Sequence, residues 1–463
     1  MAKPAPSAQR NAAHESAVGL RRHKRTATDF GLALITPLIG QDFLDRFHLR
    51  DGLNRGLKYG AKQAFSAVGA STRQFKKVQG LGKTPTRLSP SGADYFDLTP
   101  DDDQKMIVET VGEFAEEVLR PAARAADDAA AYPSDLIAKA AELGITAINV
   151  PENFDGIAEA RTTVTNALVA EALAYGDMGL ALPILAPGGV ASALTHWGSA
   201  DQQATYLREF AGDNVPQGCV AITEPHALFD PTSLKTTAVR TPSGYRLDGV
   251  KSLVPAAADA ELFIVAAQFN GKPALFVVEA ASQGLTVTAD RSMGIRAAAL
   301  GQVELKKVSV PLSARLGAED ASPQDIATSY SEALALSRLG WAALAVGTSH
   351  AVLDYVIPYV KERQAFGEPI ARRQAVAFMC ANIAIELDGL RLITWRGAAR
   401  AEQGLPFIRE AALARKFAAD KAMQIGLDGV QLLGGHGYTK EHPVERWYRD
   451  LRVIGVAEGV VVL

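Results

Sequence analysis

The segment ELFIVAAQFNGKPALFVVEA, residues 261–280, constrains the fold of this chain more than any other. It places two apolar runs on either side of an Asn-Gly dipeptide at 270–271, which favours a two-residue hairpin turn. Alternating apolar and polar residues continue in GLTVTAD (284–290) and QVELKKVSVP (302–311). We therefore predict a β domain over residues 216–318.

Helical patterns flank this β domain on both sides. Residues 97–215 are Ala-rich, and the stretch LTPDDDQKM predicts a helix capped by Thr99 with Pro100 in its first turn. Long helical runs return over residues 319–463, whereas residues 1–96 form a basic extension and linker. The predicted fold class is α+β multidomain, with an all-helical N-terminal domain, a central antiparallel β domain and a C-terminal helical bundle.

Charge is distributed unevenly along the chain. Residues 1–92 contain 16 Lys and Arg against five acids, a balance of +11, so with a net charge of −3 the remainder carries −14. We predict peripheral association of this basic arm with an anionic membrane, the alternative being that it packs on the acidic body or on a partner subunit. No nucleic-acid partner is predicted, because no nucleic-acid-binding motif accompanies the charge.

The composition predicts a cytoplasmic protein without a metal site. The two cysteines, Cys219 and Cys380, form no CxxC pair, which suits a reducing compartment, and the eight histidines form no HExxH or HxH grouping. No uninterrupted apolar run reaches the ~18 residues that a membrane-spanning helix needs. A mitochondrial matrix location is the alternative, because residues 1–28 are basic and contain a single acid.

The C-terminal segment VAEGVVVL, residues 456–463, holds a carboxylate, Glu458, whose apolar neighbours offer no obvious partner. An unpaired carboxylate is costly to bury. One interpretation is a solvated side chain on a loop. The other is a general base, since apolar surroundings make a carboxylate a usable base near neutral pH. The local sequence leaves both interpretations open.

A second unusual segment is QLLGGHGYTKEHPVERWYRD, residues 431–450. Gly434 and Gly435 allow close backbone approach, and the amides of such a turn suit phosphate oxygens, although glycine turns also simply end helices. His436 and His442 are interpreted as surface or core histidines rather than as catalysts.

Several segments together resemble the acyl-CoA dehydrogenases. The resemblance rests on PENFDG (151–156), AITEP (221–225), ERQAFGEPI (362–370), GGHGY (434–438), VERWYRD (444–450) and a following EG (458–459). These motifs keep the family's order and spacing over residues 97–463, whereas residues 1–92 lie outside the match. The resemblance implies a helical–β–helical subunit that binds FAD and forms a homodimer or homotetramer.

The resemblance also implies roles for individual residues. The implied cofactor contacts are Thr223 at the flavin ring, Arg363, Phe366 and Gln374 at the FAD of a neighbouring subunit, and Gln431, Gly434 and Gly435 at its phosphate and adenine end. Glu458 matches the family's catalytic base, and Arg338 and Gly459 match substrate-binding positions near the acyl group. Ser337 aligns with the position of the base in one branch of the family, and serine cannot replace a carboxylate there. Residues 179–194 border the acyl pocket by family position.

This chain also departs from the family pattern near the flavin. The family's TEPGAGSD reads TEPHALFD here, so His226, Leu228 and Phe229 replace small residues. Leu253 and Pro255 align with the tryptophan and threonine of the family's WIT motif, and Pro255 offers neither a hydroxyl nor an N–H group. We therefore expect the flavin contacts of the β domain to differ from those of the family.

The implied function is FAD-dependent α,β-dehydrogenation of an acyl-CoA thioester to trans-2-enoyl-CoA, a reaction of fatty-acid β-oxidation. Glu458 would remove the α-proton while the β-hydride passes to flavin N5, and an electron-transfer flavoprotein is the expected acceptor. One alternative is an acyl-CoA oxidase or a related flavin enzyme on the same fold. Another is a non-catalytic member of the family that acts as a binding or scaffold protein.

Overall fold

A computed structural model of the protein describes residues 98–158, 161–212 and 214–463. The described residues belong to one compact unit, residues 95–463. The predicted basic extension (1–96) and the predicted membrane contact of residues 1–92 lie outside them.

The N-terminal domain is helical, as predicted. Its α-helices are α1 (Asp102–Phe114), α2 (Arg120–Ala129), α3 (Leu136–Glu142), α4 (Thr163–Gly176), α5 (Met178–Trp197) and α6 (Ala200–Tyr206). The cap predicted at Thr99 is wrong, because Asp101 caps α1. The Asp101 carboxylate accepts from the backbone N–H of Gln104 at 2.8 Å, and the Asp101 N–H donates to the Gln104 side chain at 3.1 Å. This reciprocal capping box pairs two N–H groups that the start of the helix would otherwise leave unpaired.

Helix α5 is the buried helix of this domain. Its N-terminus is capped by Asp177, which accepts from the N–H of Leu180 at 3.0 Å and from Nε of Arg446 at 2.9 Å. Among the described residues, α5 is the one helix long and apolar enough to span a membrane, which the count of uninterrupted apolar residues had missed. Because 94% of its most apolar window is buried inside the protein, we describe it as a core helix.

The central domain is a seven-stranded sheet. Its strands are β1 (Gly218–Ala221), β2 (Thr237–Thr241), β3 (Gly244–Val254), β4 (Leu262–Phe269), β5 (Lys272–Glu279), β6 (Leu285–Ala289) and β7 (Gly301–Pro311). The predicted hairpin is confirmed: β4 pairs antiparallel with β5 across Asn270 and Gly271, whose φ angles are 49° and 79°.

The sheet is mixed, whereas the sequence predicted an antiparallel one. Its order is β1-β4-β2-β3-β7-β6, with β5 paired to β4. Strand β4 runs parallel to β1 and β2 and antiparallel to β5. The parallel pairs arise because the chain leaves β1, forms the β2–β3 hairpin and then returns between β1 and β2 in their own direction.

The C-terminal domain is a helical bundle, as predicted. Its helices are α7 (Pro323–Glu362), α8 (Gln374–Glu402), α9 (Ile408–Leu433) and α10 (Val444–Leu451), and a short hairpin of β8 (Gln364–Ala365) and β9 (Glu368–Pro369) follows α7. The 40 residues of α7 span about 60 Å, and this helix packs against α4, α8 and α9. Helix α7 is therefore long enough to carry residues of the site at widely separated positions along its length.

The C-terminal segment, residues 456–463, passes between the sheet and two helices. The N–H of Val460 donates to the carbonyl of Val220 in β1 at 2.8 Å. Two helix glycines admit this backbone: a Cβ on Gly189 of α5 would lie 2.3 Å from the Val460 carbonyl oxygen, and one on Gly340 of α7 would lie 2.4 Å from that of Val461. The segment therefore contacts both helices directly through its backbone.

Candidate active site

Glu458 is a buried residue whose backbone is held by a single hydroxyl group. Its side chain is only 6% exposed. The Glu458 N–H donates to Thr223 Oγ1 at 2.9 Å, and the same hydroxyl donates to the Glu458 carbonyl at 3.0 Å. The interpretation of Glu458 as a solvated loop residue is therefore wrong. Thr223, which the resemblance places at the flavin ring, here connects the end of β1 to the Glu458 backbone.

The next residue, Gly459, is fixed from α7. Its carbonyl oxygen accepts from the Ser337 hydroxyl at 2.7 Å and from the indole N–H of Trp341 at 3.0 Å. Its φ of +82° favours glycine, and a Cβ there would lie 2.4 Å from the carbonyl oxygen of Val220. Glycine is thus the residue that fits between β1 and α7 at this point.

Arg338 supplies the partner that the local sequence of Glu458 lacks. Its Nη2 lies 2.8 Å from Glu458 Oε1, and its Nε lies 3.1 and 3.2 Å from the two carboxylate oxygens. Its side chain is 26% exposed, so the pair has one solvent-facing edge. The arginine predicted to contact substrate therefore binds the predicted base directly.

A second arginine approaches the same carboxylate from α9. Arg415 Nη2 lies 3.8 Å from Glu458 Oε1 and donates to the carbonyl of Ala457 at 2.7 Å. Its Nη1 is buried and has no hydrogen-bond partner within the described part of the chain. Two guanidinium groups thus face one carboxylate, and each compensates part of the cost of burying that charge.

A buried ion pair anchors the segment that follows β1 and carries Thr223. The adjacent residue, Glu224, accepts from Lys251 Nζ at 2.9 Å and from the backbone N–H groups of Lys235 and Thr236 at 2.8 and 2.9 Å. Burial alone would raise the pKa of Glu224, but the Lys251 ammonium and these donors outweigh it and lower that pKa to about 2. Burial in turn lowers the pKa of Lys251 to about 8.

Three of the residues that depart from the family pattern, His226, Leu228 and Phe229, lie on the loop after Glu224. Leu228 is almost fully exposed and has a φ of +58°, a backbone conformation that is uncommon for a leucine. His226 packs edge-on against Phe229, with 5.6 Å between ring centroids, and its Nε2 lies 3.2 Å from Glu224. Larger side chains therefore occupy a loop whose backbone shape is one that favours glycine.

The predicted cofactor residues at the far end of α7 form a separate, exposed group. They are Arg363, Phe366, Gln374, Gln431, Gly434 and Gly435. From residue 338 to residue 363, at about 1.5 Å per residue, α7 covers roughly 37 Å. One chain therefore does not bring this group to Glu458, whereas it does bring Thr223, Arg338 and Gly459 there.

The chemistry of this exposed group fits FAD. The turn between β8 and β9 presents the Phe366 ring 93% exposed, which suits stacking against a planar ring system. The Arg363 guanidinium is exposed and suits phosphate oxygens. A Cβ added to Gly434 or Gly435 would meet nothing within 4 Å, so the backbone of that turn is open to a ligand.

Sequence reasoning missed two residues of the site, Trp341 and Arg415. Trp341 lies one turn after Ser337 on the same face of α7, so the i, i+4 spacing could have identified it once Ser337 was considered. Arg415 carried no local signal, because it lies in an ordinary Ala-rich helix and meets Glu458 only through the packing of α9.

Comparison with known proteins identifies the family. Three family descriptions match in chain order: the acyl-CoA dehydrogenase N-terminal domain over residues 101–213, the middle domain over 219–308 and the C-terminal domain over 327–460. A probable acyl-CoA dehydrogenase of Bacillus subtilis, YngJ, is 33% identical over 79% of this chain and 96% of the relative.

Solved structures agree with this result. Butyryl-CoA dehydrogenase from Megasphaera elsdenii superposes with a TM-score of 0.71 at 28% identity, covering 78% of this chain and 95% of that one. PigA, solved with FAD and proline, gives a TM-score of 0.71 at 25% identity, with coverage of 78% and 95%. The chain therefore belongs to the acyl-CoA dehydrogenase family, as a flavoprotein oxidoreductase that acts on acyl-CoA with FAD as its cofactor.

Proposed function

We propose that the protein converts an acyl-CoA thioester to its trans-2-enoyl-CoA, with Glu458 as the base that removes the α-proton. The observation that carries the proposal is the fixation of Glu458. Its backbone is bound to Thr223, the following carbonyl to Ser337 and Trp341, and its carboxylate to Arg338. A buried carboxylate whose backbone is fixed at successive residues is preorganised, as proton abstraction requires.

The ion pair with Arg338 must loosen for the reaction to proceed. While Arg338 donates to both oxygens of Glu458, the lone pairs that accept these hydrogen bonds are not free to take a proton from substrate. Arg338 has a solvent-facing edge, so it can turn toward substrate and leave a carboxylate oxygen free to take the proton. We expect this exchange to accompany substrate binding.

The thioester carbonyl needs hydrogen-bond donors where negative charge develops. We propose the N–H of Glu458 as one of these donors; in this structure it donates to Thr223 Oγ1. A substrate carbonyl that takes this N–H would share it with the threonine hydroxyl or displace it. Thr223 is therefore expected to influence both the position of the base and the binding of the thioester.

FAD supplies the acceptor for the hydride equivalent when it is bound. In the proposed arrangement, Thr223 lies beside the flavin of its own chain. Arg363, Phe366, Gln374, Gln431, Gly434 and Gly435 contact the FAD of a second copy. The roughly 37 Å along α7 between residues 338 and 363 supports this division, since one chain does not bring the two groups together. The active assembly is accordingly a homodimer or homotetramer.

The acyl group is proposed to lie between α5 and α7. Residues 179–194 of α5 border this space, and Val460 and Val461 occupy part of it against Gly189 and Gly340. Leu463 is also buried there, with its carbonyl 3.4 Å from the Ser192 hydroxyl. An acyl chain between these helices would have to move the segment that follows Gly459. The length and branching of the acyl group that fits between the helices would then depend on how far that segment moves.

The proposal is tested by anaerobic bleaching of the flavin spectrum with a panel of acyl-CoA thioesters, comparing wild type with Glu458→Gln. We expect at least one thioester to bleach the wild type rapidly, and the variant to bleach about 100- to 10,000-fold more slowly, since general-base catalysis contributes roughly 10²–10⁴-fold. Bleaching of the variant at the wild-type rate would reject Glu458 as the base.

Rapid oxygen consumption without another acceptor would instead indicate an oxidase, and a protein that stays colourless after FAD reconstitution would indicate a binding protein.

Electron acceptor and location complete the proposal. We expect the electrons to pass to an electron-transfer flavoprotein in the cytoplasm. The basic arm, residues 1–92, is proposed to hold the enzyme at an anionic membrane. Deleting this arm should abolish sedimentation with anionic liposomes, and unchanged sedimentation would refute the membrane contact.

A further inference from the structure

A cluster of metal-ligating side chains lies at the end of α9, in the turn that contains Gly434 and Gly435. One ring nitrogen of His436, one of His442 and one carboxylate oxygen of Glu441 all lie within 4.8 Å of one another. We propose that His436, Glu441 and His442 form a binding site for a divalent transition-metal ion, with Zn²⁺ as the best-suited ion. The site lies in the turn that is also proposed to contact FAD, but its test does not depend on the role proposed for Glu458.

The turn that carries the cluster is well ordered by its own contacts. His436 lies in a short 3₁₀ segment, Gly434–Tyr438, and its carbonyl accepts from the N–H and the hydroxyl of Thr439 at 3.2 and 2.9 Å. Gly437 is buried against the end of α9, where a Cβ would lie 2.2 Å from the carbonyl oxygen of Val430. The backbone at His436 is thus held by contacts within the turn and with the end of α9.

His442 is oriented by two tyrosines of α7. Its Nδ1 lies 2.6 Å from the Tyr355 hydroxyl, and its ring packs edge-on against Tyr359 with 5.7 Å between centroids. Tyr355 in turn packs edge-on against buried Trp447 of α10. When Nδ1–H donates to the tyrosine oxygen, Nε2 carries the lone pair that a metal needs. Metal-binding histidines commonly have such a partner on the nitrogen away from the ion.

His436 and Glu441 supply the adjustable side of the site. His436 Nδ1 lies 3.6 Å from Glu441 Oε2, and both side chains are exposed. Around a tetrahedral Zn²⁺ with bonds of about 2.0–2.1 Å, neighbouring ligand atoms lie roughly 3.3–3.4 Å apart. The three ligand atoms lie within 4.8 Å of one another, so the two exposed side chains would have to rotate to bring them closer by up to about 1.5 Å around the ion.

The donor set selects the class of ion. Two imidazoles and one carboxylate match zinc sites that keep a fourth position for water, whereas Mg²⁺ and Ca²⁺ prefer sets made entirely of oxygen atoms. The sequence predicted no metal site because the spacing H-x₄-E-H corresponds to none of the motifs considered there. The folded turn and the contact with Tyr355 bring these groups together.

The test is calorimetric titration of ZnCl₂ into full-length, untagged, flavin-loaded protein that has been treated with a chelator. We expect one site of micromolar or tighter Kd. The double substitution His436→Gln/His442→Gln should weaken it at least 100-fold, and Glu441→Gln about tenfold. His350→Gln is the matched control, because His350 is partly exposed and lies beside Asp354, with 3.6 Å between its Nε2 and Asp354 Oδ2. That variant should bind Zn²⁺ like the wild type.

Thermal unfolding provides the second measurement. Zn²⁺ should raise the Tm of the wild type and of His350→Gln but leave that of the double variant unchanged, each protein being compared with itself without the metal. The proposal is overturned if the wild type shows no site tighter than ~100 µM, or if the double variant titrates like the wild type. Either result would leave the assignment of Glu458 untouched, since flavin bleaching is measured separately.

Discussion

Arg338 and Glu458 are 120 positions apart in the chain, yet Nη2 of the arginine lies 2.8 Å from a carboxylate oxygen of the glutamate. The pair joins the middle of α7 to the segment after α10. It explains how a carboxylate surrounded in sequence by valine and alanine can be buried. It also means that the proposed base has a strong partner before substrate arrives.

Replacing Arg338 by methionine should destabilise the protein by about 1–3 kcal/mol, because the Glu458 charge then keeps only Arg415 as a cationic partner. In a Glu458→Gln background the same replacement should cost less than about 1 kcal/mol. Urea unfolding of the four proteins of this double-mutant cycle measures the difference.

The control for this cycle is Arg246→Met, which removes a surface ion pair between Arg246 and Asp248. The side chains of these two residues are 46% and 41% exposed, respectively. This change should stay within about 0.5 kcal/mol of the wild type. Equal losses for Arg338→Met in the presence and absence of the Glu458 carboxylate would show that the arginine acts through packing and not through the ion pair.

Gly340→Ala should disturb the segment that holds Glu458. A Cβ at this position would lie 2.4 Å from the Val461 carbonyl oxygen and 2.8 Å from its Cγ1, so α7 or the segment must shift, at a cost of about 1–3 kcal/mol. Gly112→Ala on α1 is the matched control, because its Cβ would meet nothing within 4 Å and alanine favours the helix by up to about 1 kcal/mol. Urea unfolding should therefore give Gly340→Ala a lower free energy of unfolding than the wild type and Gly112→Ala a higher one. A higher free energy of unfolding for Gly340→Ala would contradict the close contact between Gly340 and Val461.

Much of the fold could be predicted from the sequence because its signals are local. The Asn270-Gly271 hairpin follows from turn chemistry, and the two helical domains follow from apolar periodicity. The parallel pairing of β4 with β1 and β2 was missed, because strand order depends on contacts between segments far apart in the chain. The cap of α1 was placed at Thr99 instead of Asp101 because either residue can cap a helix.

In the candidate site, too, residues with a local signal could be predicted, whereas contacts between distant segments could not. Glu458 and Gly459 stood out by sequence and by resemblance, and the structure brings them to Thr223 and Arg338. That Thr223 binds the Glu458 backbone could not be predicted, because it requires β1 and the C-terminal segment to meet. The cluster of His436 and His442 was missed for the same reason, since Tyr355 orients it from another helix.

The buried pair of Lys251 and Glu224 should be sensitive to loss of one partner. Lys251→Met leaves a largely buried carboxylate with backbone donors and His226 only, and should cost about 3–5 kcal/mol, whereas Lys251→Met/Glu224→Gln should recover part of that loss.

The lowered pKa of Glu224 implies stability that is present above about pH 4.5 and lost as the pH falls toward 2. Unfolding followed from pH 7 to pH 3 should therefore show a weaker acid dependence in the double variant. An identical dependence would exclude Glu224 as a contributor.

Asp450 should make stability fall as the pH rises. It is buried, and its carboxylate accepts from the N–H of Ile295 at 2.5 Å. Burial, together with the charge of Asp177, raises its pKa to about 8. A carboxyl group with a raised pKa holds its proton in the folded state, so its contribution is fully present below about pH 4 and is lost as the pH rises through 8. Asp450→Asn keeps an acceptor for Ile295 without ionising.

The Tm of the wild type should therefore fall from pH 5 to pH 9 more steeply than that of Asp450→Asn. Some slope should persist in the variant, because burial also raises the pKa of Glu171 to about 7, against the opposing effect of Arg391. Asp103→Asn, an exposed position on α1, is the control and should follow the wild type at every pH. Parallel curves for the wild type and Asp450→Asn would show that Asp450 is already ionised at pH 5, and that Arg446 and Arg449 outweigh its burial.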